Sequence, residues 1–172
     1  MLRSGGMDRP LFLIEDPIRG PPLAQALAAP LGEPVHPLHP SQTIPAIPGD
    51  FLIAAELPGR CSLELGGKLV QSAAGHCVLL WSPSSSDLYL WVAHLLGFAG
   101  YLDCAASWAE NLRWLQAFRA GQEAWPPALR ARADRFEAAI GDRLRQLRPE
   151  EAWRLADLVV CQVCFCGWRL PT

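Results

Sequence analysis

Several side chains that could do chemistry follow short apolar runs in this sequence. They are Glu15, Asp16, Glu56, Ser82 and Cys104. Such runs are typical of buried parallel strands, whose carboxyl ends share one rim of a sheet. We therefore expect these five side chains near one rim, which is where such sheets bind ligands. Cys104 should be inert, because no base is identifiable beside it.

A different metal-like pattern lies near the end of the sequence. Cys161, Cys164 and Cys166 have a spacing that three thiolates could use for Zn²⁺ or Cu⁺. A structural zinc site needs four ligands, usually as two separated pairs, so a distant residue such as His36 or His39 would have to complete it. A Cys-cluster metal-binding protein is therefore a minor alternative, and the segment around the two histidines is expected to be a surface loop.

The composition is that of a folded domain with little net charge. The chain has 172 residues, of which 51% are hydrophobic and 19% are charged, and this excludes global disorder. Fifteen basic residues against seventeen acidic ones do not favour binding to nucleic acid by bulk charge. The longest apolar stretches are shorter than the ~20 residues that cross a bilayer, and the start does not resemble a secretory signal. We predict a cytoplasmic protein with reduced cysteines, no membrane contact and a disordered extension over residues 1–7.

Apolar runs alternate with helical patterns along most of the chain. This alternation predicts an α/β fold with a doubly wound, parallel, five-stranded sheet. The expected strands include 11–14, 51–55, 77–81 and 99–102, and the prolines of the extended segment 34–40 confine it to a sheet edge or a loop. The expected helices are 23–29 (ended by Pro30), 63–74, one capped by Ser85 or Ser86, and one capped by Ser107 with Trp108, Leu112, Leu115 and Phe118 facing inward. Residues 42–48 contain too many prolines for a regular helix.

A longer helix is predicted after Pro126 and Pro127. Its apolar seam recurs at steps of three and four residues and consists of Leu129, Ala133, Phe136, Ile140, Leu144 and Leu147. The seam could pack on the preceding domain, or it could pair two chains. The arginines outside the seam are expected to be solvated, although they could also contact DNA phosphates.

Three segments carry a resemblance to a known family. Residues 97–102 form a glycine-rich turn and a short strand, residues 107–112 start a capped helix, and residues 147–151 read Leu-Arg-Pro-Glu-Glu. In these segments the chain resembles a bacterial two-component response regulator of the LuxR (NarL-like) type. The resemblance implies a receiver-like (flavodoxin-like, CheY-like) domain over residues 8–122, a linker helix over 123–148, and a truncated helix-turn-helix with an irregular tail over 149–172.

The departures from this family fall on its chemistry. In the family, two acids hold Mg²⁺ through their oxygens, and Glu15 and Asp16 match them. The next strand supplies no third carboxylate, so any magnesium binding at this pair should be weak. The phosphoacceptor Asp of the phosphorelay falls on Ala54 or Ala55, depending on whether one counts back from Pro58 or forward from Asp50. A methyl group at either position offers no nucleophilic oxygen.

Two further family positions, the switch hydroxyl and the switch aromatic, match Ser82 and Tyr101, whereas the phosphate-binding Lys is replaced by Cys104. Glu56 could place a fixed negative charge nearby, but an exposed loop acid is more plausible.

These departures lead to a prediction of a pseudo-receiver rather than an enzyme. The leading hypothesis is a non-catalytic signalling protein in transcription regulation that acts through a protein partner or self-association. Receivers of this family commonly associate through the face that matches residues 88–118, where Trp91, Tyr101 and Trp114 would serve as anchors if exposed. The alternative is a DNA-binding LuxR-type regulator, which requires that the short tail complete a helix-turn-helix, or that a dimer present the arginines from Arg130 to Arg145 to DNA phosphates.

Overall fold

The computed structural model describes residues 9–54, 57, 62–82, 86–144, 148, 151 and 154. Five parallel strands form one sheet in the order β2-β1-β3-β4-β5. The strands are β1 (Leu11–Ile14), β2 (Val35–Leu38), β3 (Asp50–Ala54), β4 (Cys77–Ser82) and β5 (Gly100–Asp103). The helices are α1 (Gly20–Leu31), α2 (Ser62–Val70), α3 (Asp87–Leu95), α4 (Trp108–Arg119) and α5 (Pro127–Leu144). The predicted α/β fold with a doubly wound five-stranded sheet is therefore confirmed.

The sheet is covered on both faces, which explains why its inner strands are apolar throughout. One face packs against α1 and α4 through a core that includes Leu13, Leu52 and Phe118. The other face packs against α2, α3 and α5 through a core that includes Phe51 and Leu80. Alternate residues of a strand point to opposite faces, so a run without polar interruptions fills both cores.

The connection between β2 and β3 has no helix. Residues 39–49 form turns and bends, as their prolines predict. His36 lies in β2, so the expected surface loop is wrong for this residue, and the segment takes the edge-strand alternative. Pro37 is in the same strand, where a missing N–H is tolerated at the edge of the sheet. Ile44 from the connection packs against the α2–α3 side of the core. A Pro-rich crossover therefore stands where the other parallel crossovers of this sheet have a helix.

Two helices differ from their predicted bounds. α1 begins at Gly20, before the predicted residue 23, because Pro21 and Pro22 occupy a first turn whose N–H groups need no partner within the helix. Pro30 does not end α1 but lies in its last turn, and the helix ends where Gly32 adopts a φ of +69°. α2 is shorter than predicted and ends at Val70.

The glycine pair inside α2 has a packing role. A Cβ atom at Gly66 would overlap the ring of Phe98, and a Cβ atom at Gly67 would contact Leu96. Both Phe98 and Leu96 are buried. Glycine costs helical stability at these positions, but it lets α2 lie close to the segment that joins α3 to β5.

α5 packs on the domain that precedes it. Leu129 and Ala133 are buried in the α2–α3 side of the core, and the Phe136 ring lies 5.9 Å from the Trp91 ring. Ile140 is half-buried, and α5 extends to Leu144. The first part of the apolar seam therefore packs on the preceding domain of the same chain, which is one of the two arrangements predicted for it.

The segment before α5 fixes this docking. The Trp125 indole N–H donates to the Phe98 carbonyl at 3.0 Å, and Ala124 forms a parallel bridge with Gly100 at the start of β5. A Cβ atom at Gly100 would overlap the Ala124 carbonyl, so the close approach of these two backbones requires glycine at position 100. Arg132 of α5 also lies 2.7 Å from the Asp87 carboxylate.

The docking of α5 corrects the prediction of exposed aromatic anchors. Trp91 is only 2% exposed and Tyr101 is fully buried, because α5 and Trp125 cover them. Trp114 is half-buried, with the Arg113 guanidinium 5.4 Å from its ring. Two of the three predicted anchors are thus core residues and cannot meet a partner while α5 is docked.

His94 links α3 to this docked segment and should make stability pH-dependent. Its ring packs edge-on against Trp125 at 5.6 Å between centroids. Burial lowers the pKa of His94 below its usual 6.5, and the Arg130 charge lowers this pKa further. As the pH falls below 6.5, the unfolded chain binds the proton first, so the free energy of unfolding should decrease.

We expect His94→Gln to reduce this loss of stability. The measurement is urea unfolding of both proteins at about pH 7.5 and about pH 5.5, with the difference between the two values as the readout. Some pH dependence should remain in the variant, because burial also lowers the pKa of His76. An equal pH dependence in both proteins would contradict the prediction.

In the part of the chain that the structure describes, none of the helices has the length and apolarity needed to span a lipid bilayer.

Candidate functional site

The carboxyl ends of the strands form one rim, and a cavity of about 740 Å³ lies there. Glu15 follows β1, Ala54 ends β3, and Cys104 comes directly after β5; all three line this cavity. Ala54 pairs with Trp81 of β4, and the Cys104 N–H donates to the Ser82 carbonyl at 3.1 Å. The structure therefore brings together residues from four segments that the sequence analysis had linked.

The acidic pair is engaged by Arg19. The Arg19 guanidinium lies 2.7 Å from Asp16 Oδ2 and 3.2 Å from Glu15 Oε1. Asp16 Oδ1 also accepts the backbone N–H groups of Ile18 and Arg19, at 2.8 and 2.9 Å. These hydrogen bonds, those from Arg19 foremost, lower the pKa of Asp16 to about 2.

This arrangement is a poor fit for Mg²⁺. The two predicted carboxylates already pair with a guanidinium and with backbone donors, and the neighbouring strand end offers the methyl group of Ala54. Magnesium needs several oxygen ligands in near-octahedral geometry. Among the described residues, moreover, there is no group of three or more His, Cys, Asp or Glu side chains placed to hold a metal ion.

The two switch-like residues lie behind the rim. Ser82 and Tyr101 are fully buried, and the two side chains are hydrogen-bonded to each other. Burial raises the pKa of Tyr101 well above its usual value, so its phenol stays neutral. The Tyr101 ring packs against Tyr89 and Trp125, at 6.4 and 6.0 Å between centroids. The aromatic ring thus points inward and is held there by the segment that leads into α5.

The walls of the cavity are more aromatic than the sequence analysis indicated. Trp108 was expected to face the core, but 44% of its surface is exposed and its ring lies 6.0 Å from the Trp81 ring. Trp108 has the same helical phase as Leu115, but it is in the first turn of α4, which lies at the rim rather than over the centre of the sheet. The Ser107 hydroxyl accepts the Glu110 N–H at 3.2 Å and fixes this first turn.

Cys104 has an exposed thiol and lines the cavity. Ala55, Glu56 and the cysteines at 161, 164 and 166 lie outside the described residues, as do the N-terminal extension and most of the proposed helix-turn-helix region. Leu144 of the predicted seam belongs to α5, but its side chain is not among those that the structure describes.

Comparisons with family models and with curated sequences find no match, whereas comparison with solved structures finds many similar folds. No protein-family model matches the chain, and no curated protein sequence matches it. Similar solved structures include the regulatory domain of the master biofilm regulator CsgD, with 14% identity, a TM-score of 0.59, and coverage of 74% of this chain and 99% of that one. A LuxR-family two-component response regulator from Aurantimonas sp. SI85-9A1 has 16% identity, a TM-score of 0.57, and coverage of 74% and 96%.

The same likeness extends to a structure that contains a phosphate mimic. The isolated REC domain of RcsB from Salmonella enterica serovar Typhimurium, in the presence of phosphomimetic BeF3⁻, has 12% identity and a TM-score of 0.54. The alignment covers 72% of this chain and 98% of that domain. At such low identities the likeness concerns the fold alone, and the fold of this chain is that of the receiver domains of response regulators.

Proposed function

We propose that this chain is a receiver-like signalling module that does not accept a phosphoryl group and acts through protein–protein contacts. The observation that carries the proposal is the end of β3 at the cavity. Ala54 stands there, and the residue after it is also an alanine, so neither counting of the strand supplies a carboxylate. Without an oxygen nucleophile at this position, an acyl phosphate cannot form.

The groups that would hold a phosphoryl group in a receiver support the same proposal. Arg19 pairs with both carboxylates of the acidic pair, and Cys104 takes the place of the cation that follows β5. A thiol cannot make the charge-assisted contact that an ammonium group makes to a phosphoryl oxygen. The scaffold of a receiver is thus combined with a rim that lacks the receiver's acceptor and counter-cation.

The inward position of Tyr101 supports a state that does not depend on phosphorylation. The Tyr101 ring is fully buried, its hydroxyl group is hydrogen-bonded to the Ser82 side chain, and Trp125 packs against the ring. Moving the ring outward would break these contacts and displace the segment before α5. Signalling by this chain would therefore be set by whether α5 is docked, and a protein partner or a second copy would compete with α5 for the Trp91 surface.

The test is incubation with acetyl phosphate and Mg²⁺, followed by intact-mass measurement. We expect no species that carries an additional phosphoryl group, either before or after acid treatment. A receiver with an intact acceptor Asp, treated in the same reaction, provides the positive control. The proposal would be overturned by the addition of one phosphoryl group to a residue that peptide mapping locates at the rim.

A further inference from the structure

We propose that the cavity between the first turns of α1 and α4 binds an uncharged, planar, aromatic small molecule. This inference goes beyond the proposed signalling role and does not depend on it. The volume of about 740 Å³ lies within the range of ~300–1,000 Å³ that is usual for small-molecule sites. The apolar side chains that line it include Leu13 and Leu23 and the two tryptophans Trp81 and Trp108.

The aromatic wall determines the shape of the ligand. The Trp81 and Trp108 rings are inclined by 40° with 6.0 Å between their centroids, so they contact each other and present a continuous aromatic surface. Flat rings gain dispersion and quadrupole interactions against such a surface. An aliphatic ligand would bury apolar area but would not make these ring contacts.

The charges at the cavity determine the polarity of the ligand. Among the described residues that line it, Arg19 is the one cation, and both Glu15 and Asp16 are paired with it. Of the nearby backbone donors, the Ile18 N–H is bonded to Asp16 and the Glu110 N–H to Ser107. An anion would have to displace these partners, so a neutral ligand is favoured over a phosphate or carboxylate.

Exposed apolar side chains at the mouth point to an occupant. Ile18 is 83% exposed and Trp108 is 44% exposed, and both line the cavity. They are two of the four large hydrophobic side chains that are exposed in the described part of the chain. A ligand between them would remove this apolar surface from water.

A pair of matched fluorescent probes tests the proposal. N-phenyl-1-naphthylamine is neutral, whereas 8-anilinonaphthalene-1-sulfonate has the same skeleton with an added sulfonate. We expect saturable, stoichiometric binding of the neutral probe to the full chain and binding of the anionic probe that is at least about tenfold weaker. Bound neutral probe should also slow alkylation of Cys104, measured on its peptide by mass spectrometry.

Two substitutions locate the site. Trp108→Ala removes part of the aromatic wall and should weaken binding of the neutral probe by at least about tenfold, and Ile18→Ala should weaken it by a smaller factor. Both side chains are exposed, so both variants should fold. Leu95→Ala is the control, because Leu95 is 49% exposed but lies on α3, on the other face of the sheet. Unchanged binding in Trp108→Ala, equal binding of the two probes, or no saturable binding would each overturn the proposal.

Discussion

Replacement of Arg119 by alanine should lower the free energy of unfolding by about 3–5 kcal/mol. Arg119 lies in the last turn of α4 and is only 7% exposed. Its guanidinium donates to Asp50 Oδ2 at 2.5 Å, to both Glu33 oxygens at 2.6 Å, and to the Arg9 carbonyl at 2.6 Å. Arg9 adds a second ion pair to Asp50, at 3.2 Å.

The large effect is expected because the variant leaves the buried Asp50 carboxylate, and the half-buried Glu33 carboxylate, without their main partner. Asp50 is 1% exposed, so its charge has little access to water once the guanidinium is removed. The cluster also joins α4, the start of β3 and the segment after α1, which are far apart in sequence. Its loss should therefore destabilise the whole domain rather than one helix.

Urea unfolding of Arg119→Ala and of Arg113→Ala measures this effect. Arg113 is on the same helix but is exposed, and its guanidinium lies 5.4 Å from the centroid of the Trp114 ring. The Arg113 variant should lose no more than about 1 kcal/mol. A loss of less than about 1 kcal/mol in Arg119→Ala would mean that the ion cluster does not stabilise the fold.

The sheet could be predicted from sequence because its signal is local. Each inner strand is a continuous apolar run such as Phe51 to Ala54, and continuous runs are required of strands that are buried on both faces. The serine caps at Ser86 and Ser107 are equally local, since each hydroxyl accepts an N–H group three residues ahead. These features depend on neighbours in the chain and not on the rest of the fold.

The features that sequence analysis missed depend on partners that are distant in the chain. The apolar seam of α5 shows that one side of the helix must be covered, but it does not specify whether Trp91 or a second chain covers it. The outward position of Trp108 follows from where α4 begins relative to the rim. Arg119 and Asp50 are 69 residues apart, and no local pattern indicates that they meet.

The candidate site shows the same contrast between local and distant signals. Residue spacing placed Glu15 and Cys104 near the ends of strands, the family resemblance placed Ala54 or Ala55 there, and parallel strands bring such residues to one rim. Spacing did not reveal that Arg19 pairs with both acids, because a salt bridge at a helix start depends on side-chain geometry. That pairing engages both carboxylates of the weak magnesium site that was expected at this rim.

Replacement of Trp125 by alanine should lower the free energy of unfolding by about 3–5 kcal/mol and release α5. Trp125 is 5% exposed, contacts the Tyr101 and His94 rings, and donates a hydrogen bond to the Phe98 carbonyl. Trp125 thus joins α3 and β5 to the segment that leads into α5. Its removal would leave a cavity at the point where α5 is attached.

Hydrogen exchange and light scattering would distinguish release of α5 from general loosening. Backbone amides of α3 and α5 should exchange faster in Trp125→Ala, while those of α1, on the opposite face, should change little. Light scattering at increasing concentration should show self-association, because release exposes the Trp91 and Phe136 surface.

A graded series shows which property of Trp125 matters. Trp125→Phe retains an aromatic ring but loses the N–H group that bonds Phe98, so it should cost about 1 kcal/mol and leave α5 docked. Trp108→Ala removes an exposed indole from the other face and should cost about 1 kcal/mol or less without changing exchange in α5. If Trp125→Ala exchanged uniformly across α1, α3 and α5, α5 would be an integral part of the domain core. Control of signalling by its docking would then have no physical basis, because a partner could not displace the helix without unfolding the domain.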